Sequence, residues 1–397
     1  MKVFFKKVNS FIKETNMILL LMCIIISVFG IIMVHSATRY NLTEGAVVSR
    51  GVITMVAAFA VGLIGGLVIS AFGHDVISRL WAPIGFVCLG LMLSLFVIGT
   101  SPEGRDDAIS WIDLGFFYFQ PSELLKFGFS VTFAVHLDTV KDDINKFKNV
   151  VLLALHAFLV ISLVILTGDL GSALVFMVMF LGLMFVAGVN LRYFIIGISA
   201  VCIAAPIVWF EFLADFQKQR FLAVYNPESL TEAAYETNIF QQRQGLSAIG
   251  SGKLWGTGLF QGEYTQKGLV PVADSDMIFT AVGEELGFIG CVGLLLFILL
   301  IVLKIISIGK KSIDTTGKYM CYAVAIMIAA QTVINIGMCL CVLPVIGITL
   351  PFISAGGSAN MCIFFTIGLV LAVYRTSVDR GPQDISRATI STPFEEV

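Results

Sequence analysis

Ten apolar runs constrain this chain more than any other feature. A helix needs about 20 mainly apolar residues to cross a bilayer, and candidate spans lie at 17–37, 51–72, 81–99, 121–137, 149–167, 171–189, 191–213, 276–304, 317–343 and 354–374. One long polar stretch, between Asp215 and Asp276, interrupts them. The expected fold class is an all-α integral membrane protein of about ten transmembrane helices, with one long extracytoplasmic loop between helices 7 and 8. Composition agrees. The chain is 57% hydrophobic and 13% charged, against about 25% charged in soluble proteins. A net charge of -2 without a basic stripe indicates no nucleic-acid partner. The eight cysteines lie in or beside apolar runs, lack zinc-site spacing and read as small buried hydrophobes.

Charge placement orients the chain. With the N-terminus inside, 16 of the 25 lysines and arginines fall on the inner side and eight outside, with Lys126 inside a span. Five of the outer eight belong to the long loop, and long loops follow the charge rule poorly. The remaining bias supports cytoplasmic N- and C-termini. One polytopic membrane domain is expected over 1–397, with 1–16 as a cytoplasmic N-terminus, 214–275 as the large extracytoplasmic loop and 375–397 as a short cytoplasmic tail. The run from Met17 to Val34 lacks a convincing small-residue cleavage site, so it reads as a retained first helix.

Five constellations carry the polar chemistry. In Gln120-Pro121-Ser122-Glu123-Leu124-Leu125-Lys126, proline suits the first helical turn. Glu123 and Lys126, three apart, share a face. Each charge alone costs about 2.5–3.5 kcal/mol in a membrane helix, so the two read either as a structural ion pair or as a polar cavity wall. In Thr167-Gly168-Asp169-Leu170-Gly171, Asp169 is either a helix cap or an outward carboxylate beside a substrate. The long loop holds Arg220, Arg243, Gln244 and a Gly-rich run from Gly245 to Gly258. Its backbone amides and cations suit an anion such as pyrophosphate, and a plain solvated loop is the alternative.

Asp274-Ser275-Asp276 stands at the mouth of the eighth run, with Asp276 expected in the first turn of that helix. Glu284 and Glu285 follow about two turns deeper, one expected to meet a cation and the other a cavity or cap. Finally, Gln331 and Asn335 share a helix face. They precede Leu343-Pro344 and Leu350-Pro351-Phe352-Ile353-Ser354-Ala355-Gly356-Gly357-Ser358. Prolines and glycines at that density imply non-helical backbone at a membrane boundary, tolerated only where protein or a water-filled cavity covers it.

Taken together, these segments resemble the SEDS family (shape, elongation, division and sporulation) of the RodA, FtsW and SpoVE type, over nearly the whole chain. The resemblance rests on Gln120 to Lys126, Asp169 to Ala173, Ala248 to Gly252, Glu284 to Gly290 and Leu350 to Ser358. It implies a ten-helix glycosyltransferase of the bacterial inner membrane that polymerises lipid II, releases undecaprenyl pyrophosphate and works with a class B penicillin-binding protein. The family's catalytic aspartate matches Asp276. The implied substrate-contacting set is Glu123, Lys126, Asp169, Arg220, Arg243, Gln244, Glu285, Ser354, Gly356, Gly357 and Ser358. The chain departs from the family pattern at Ser110 (usually Arg, for which Arg105 is a candidate replacement), Gly168, Val272, Asp274, Ser275, Met277 and Ala355.

The implied chemistry is glycosyl transfer with Asp276 as general base and Arg220 and Arg243 facing the leaving pyrophosphate. No cofactor is indicated. A divalent cation is compatible with the reaction, although no carboxylate cluster shows metal-site spacing. The rival readings are a lipid II flippase or transporter, which broken helices and intramembrane charges also fit, and a non-catalytic scaffold for a penicillin-binding protein.

Overall fold

A computed structural model describes residues 14–42, 46–101, 108–115 and 117–379. Most of the expected N-terminal segment, the tail beyond Asp379, and Arg105 lie outside the described residues.

The ten spans form close to their sequence bounds. They are α1 (Met17–Thr38), α2 (Arg50–Phe72), α4 (Trp81–Ile98), α5 (Pro121–Val140), α6 (Phe147–Leu166), α7 (Leu170–Val186), α8 (Leu191–Ile207), α12 (Ile278–Lys310), α13 (Thr315–Cys339) and α14 (Gly357–Asp379). Eight are long and apolar enough to cross a membrane by length and composition. The other two are α5, which carries Glu123, Lys126 and Asp138, and α7, which has 17 residues. The short α3 (His74–Arg79) links α2 to α4, and a two-stranded hairpin, β1 (Ile112–Asp113) with β2 (Tyr118–Phe119), precedes α5. The chain is a multi-pass membrane protein. Its outer faces remain apolar, as in Phe86 and Ile203, while α13 and α14 sit at the centre and bury most of their length.

The long polar stretch is mostly helical rather than an open loop. It forms α9 (Asp215–Tyr225), α10 (Glu232–Gly252) and the single turn α11 (Glu263–Gln266). The glycine run is the reason α10 can press against α12. At Gly287 the long helix α12 breaks, with φ 66° and ψ −166°, a region open chiefly to glycine. That break frees two carbonyls and two amides. Thr257 N and Gly258 N donate to Glu284 O and Glu285 O at 2.9 and 3.0 Å, while Phe288 N and Ile289 N donate to Lys253 O and Leu254 O at 2.9 and 3.2 Å. The glycines therefore let backbone approach backbone. The anion-approach role expected for this run is replaced by closure of a helix break, which satisfies groups that lipid cannot.

The paired glutamates hold the same region. Glu284 accepts from Tyr264 N, Thr265 N and Thr265 Oγ1, which caps α11. Glu285 Oε1 accepts from Ser36 Oγ at 2.6 Å and Gln266 Nε2 at 3.1 Å. Both are fully buried, and neither has a cation partner among the described residues. The expected cation contact is corrected to a pair of anchors: Glu284 ties α11 to α12, and Glu285 ties both to α1.

Candidate active site

The segment from Pro271 to Met277 is a series of turns leading into α12. Asp276 lies just ahead of Met277, the N-cap, instead of inside the first helical turn as expected from sequence. Three successive carbonyls of this segment are pinned from elsewhere. Ala355 N donates to Asp274 O, Ser354 Oγ to Ser275 O and Asn335 Nδ2 to Asp276 O, each at 2.7 Å. Val272 adopts φ 52°. For a β-branched residue this is a strained conformation, of the kind that surrounding structure must enforce and that gathers at functional sites.

Of the three pinning residues, Asn335 comes from α13, and Ser354 and Ala355 come from the expected broken segment, which is non-helical from Leu340 to Gly356. Its own polar groups are satisfied by amide side chains. Asn335 Nδ2 also donates to Ile348 O at 2.7 Å, Gln242 Nε2 donates to Met338 O and Leu343 O at 2.7 Å, and Asn360 Nδ2 donates to Ser354 O and Gly356 O. Ser354 Oγ accepts from Leu350 N while donating to Ser275 O. Asn335, expected to bond across to another helix, bonds instead to non-helical backbone at Asp276 and Ile348, while Gln331 lines a small inner cavity.

A cavity of about 430 Å³ opens beside this segment. Asp276, Arg220, Glu123, Asp169 and Gly356 line it, together with Ser110, Gln120 and Gln241. Asp169 caps a helix and also faces the cavity. Its Oδ1 accepts from Ser172 N as a helix cap, and its Oδ2 accepts from Gln120 Nε2 and Ser122 Oγ at 2.7 and 2.8 Å, joining the start of α5 to the start of α7 at the cavity wall. Glu123 pairs with Lys126 at 2.7 Å. Lys126 is 1% exposed and, with Ser354, lines the small cavity of about 10 Å³ behind Glu123.

Five of the twelve residues implied by the resemblance thus meet in one cavity. Gly357 lines a neighbouring one. Ser358 is buried with its hydroxyl unpartnered. Of the remaining five, Lys126 and Ser354 line the small cavity behind Glu123, and three line none of these cavities and are corrected. Arg243 is exposed and paired with Glu236 at 2.8 Å, Gln244 sits on the half-buried face of α10, and Glu285 is the anchor described above. Sequence reasoning missed Gln241, Gln242 and Arg50. The available signal was the Gln-rich run before Arg243, and the position of Arg50 at the start of a span.

Burial pushes the Asp274 carboxyl above its ordinary range, with its own and the Ser275 backbone N–H opposing that rise. For metal binding, the described residues hold one group of three potential ligands, His74, Asp75 and Asp314. It sits at the start of α13, 21 residues from Asn335, roughly 30 Å along the helix from the Asp276 cavity.

A family profile described as cell cycle protein of the FtsW, RodA and SpoVE type matches residues 16–378. The chain belongs to this family. It is 31% identical over 318 residues to the peptidoglycan glycosyltransferase MrdB of Escherichia coli K12, covering 78% of this chain and 82% of that one. It is also 31% identical over 370 residues to the probable peptidoglycan glycosyltransferase FtsW of Geobacter sulfurreducens, covering 91% and 95%. Among solved structures, one of a peptidoglycan synthase complex that coordinates polymerization and crosslinking aligns with TM-score 0.76 and 25% identity, over 91% of this chain and 98% of that chain. The rod shape determining protein RodA of Thermus thermophilus aligns with TM-score 0.66 at 23% identity, covering 91% and 97%, a likeness of fold.

Proposed function

We propose that Asp276 is the general base with which this chain polymerises lipid II. The chain is a peptidoglycan glycosyltransferase, as its curated relatives are named. The observation that carries the assignment of Asp276 is its position. It lines a cavity that also holds Arg220, Glu123 and Asp169, on a backbone pinned at three consecutive carbonyls.

The acceptor's sugar 4-hydroxyl would lie at the Asp276 carboxylate, which takes its proton as the oxygen attacks the anomeric carbon of the growing strand. One carbon–oxygen bond forms. The bond from that anomeric carbon to the pyrophosphate breaks, and the electron pair departs with undecaprenyl pyrophosphate. Arg220 supplies positive charge at the same cavity, and fixed charges of this kind stabilise phosphate without reorganising. Glu123 and Asp169 line the same cavity, Glu123 held by Lys126. Pinning the Asp276 backbone limits the base to a narrow range of positions, and misplacement of about 1 Å costs on the order of 10²-fold in rate.

The cavity would face the extracytoplasmic side of a bacterial inner membrane, with both termini cytoplasmic, following the charge bias. A class B penicillin-binding protein is the partner this reading implies. The likeness to a synthase complex that couples polymerization to crosslinking supports it.

The deciding experiment is Asp276→Asn. Asparagine keeps the size but cannot take the proton, so polymer formed from labelled lipid II falls by roughly 10²–10⁴-fold while melting in detergent stays near wild type. Near-normal polymer from a folded Asp276→Asn protein removes Asp276 from the mechanism.

A further inference from the structure

Asp274 and Asp276 flank Ser275 on one pinned segment, yet they line different cavities. Asp276 lines the one already described, and Asp274 lines a larger one of about 680 Å³. Trp111, Ser275, Ala355 and Gly356 line both and form the partition. Both volumes fall in the range of about 300–1,000 Å³ typical of ligand sites.

The linings differ in chemistry. The larger cavity presents aromatic side chains from the hairpin and its turn, Trp111, Phe117 and Tyr118, with the carboxylates of Asp113 and Asp274 and the cation of Arg50 at the start of α2. Apolar ring faces alternating with hydrogen-bond acceptors match a pyranose, whose faces are apolar and whose rim carries hydroxyl and amide donors. Trp111 is the single aromatic among the lining residues of the Asp276 cavity, so the ring faces on which a sugar can stack are concentrated in the larger one.

We infer that the larger cavity is a saccharide subsite that seats N-acetylated sugar rings of the growing glycan strand, next to the reacting unit at Asp276. The inference rests on the polymerase reading. A polymerase that keeps its product attached needs a surface for sugars already joined, separated from the reacting pair by a thin wall. The partition of Trp111, Ser275, Ala355 and Gly356 is such a wall. Asp113 and Tyr118 are the residues best placed to test it. Both are exposed in the hairpin, and Asp113 Oδ1 accepts the short turn bond from Gly115 N at 2.7 Å, which asparagine preserves.

The test has two arms on the full-length protein in detergent. In the first, chitotetraose, a soluble chain of β-1,4-linked N-acetylglucosamine, is titrated and followed by calorimetry. Wild type binds it saturably, Asp113→Asn and Tyr118→Ser each weaken binding by roughly tenfold or more, and Arg243→Gln, outside both cavities, leaves binding unchanged. Tyr118→Phe, which retains the ring, stands in if Tyr118→Ser does not fold, and binds between the two. In the second arm, the length of polymer made from lipid II is resolved on gels, and both hairpin variants shift it toward short products. Absence of chitotetraose binding by wild type, or binding and product length unchanged in folded Asp113→Asn and Tyr118→Ser, overturns the subsite. Saturable binding that the hairpin variants weaken, in a protein that makes no polymer, overturns the polymerase reading and leaves the saccharide site standing.

Discussion

Asn335 Nδ2 donates to the main-chain oxygen of Asp276 at 2.7 Å, and to Ile348 O at the same distance. One side-chain amide on α13 thus holds the backbone of the proposed base against the broken segment. Asn335→Leu leaves two carbonyls without their donor. The cost is about 1–3 kcal/mol for each buried group left unsatisfied, read as a fall in detergent melting temperature. Polymerisation falls further than the melting shift accounts for, because the carboxylate is no longer held in place. A variant that melts early but polymerises normally at low temperature would reduce Asn335 to a stability role.

The Glu123–Lys126 pair makes a reciprocal prediction. Glu123→Gln leaves the Lys126 ammonium buried without its carboxylate, a loss of about 3–5 kcal/mol when one partner of a buried pair is removed. The double exchange Glu123→Lys with Lys126→Glu recovers part of the folded yield. Since Glu123 also lines the Asp276 cavity, activity recovers less than yield. Full recovery of both would mean that pairing is the whole role of Glu123.

Closure of the α12 break depends on Gly256. Its φ is +82°, and a Cβ there would overlap the Glu285 carbonyl. Gly256→Ala therefore disrupts the bonds that Thr257 N and Gly258 N make to the freed carbonyls, and folded yield drops sharply. Gly250→Ala, where a Cβ meets nothing within 4 Å, serves as its control and leaves yield unchanged. Equal yields from the two variants would contradict the closure.

Asp274 gives a pH signature. Burial raises its carboxyl above the ordinary value, so the folded state holds the proton more tightly than the unfolded one. Folding stability from this group is present below the ordinary carboxylate range of about 4 and is lost as pH rises through the raised folded value. Asp274→Asn removes that loss. Melting of the variant relative to wild type therefore increases as pH rises from acid toward neutrality, and a constant difference across that range would refute the assignment. In polymerisation, Asp274→Asn is milder than Asp276→Asn.

Sidedness is checked by labelling. In a background lacking the eight native cysteines, Ser251→Cys on the polar stretch reacts with an impermeant maleimide on intact cells, while Lys311→Cys before α13 does not. The reverse pattern inverts the proposed orientation.

The ten spans, the polar stretch between the seventh and eighth, and the carboxylate at its end were all legible in the amino-acid sequence. Crossing a bilayer is a local requirement, met by about 20 consecutive residues, and a charge beside such a run is conspicuous. The broken segment before α14 was legible for the same reason, since Pro344, Pro351 and the glycines from Gly347 to Gly357 act on their own backbone. What each polar side chain does was decided by tertiary structure. Glu285 meets Ser36, 249 residues away, and Asn335 meets Asp276 O, 59 residues away. Arg220 reaches the cavity while Arg243 turns to Glu236, although both looked equally suited to an anion. The glycine run serves a helix break, and Asp274 and Asp276 part into separate cavities, because each outcome depends on which distant backbone group lies within about 3 Å. A sequence shows the donors and acceptors a segment carries, and only the packing of the helices shows which of them meet.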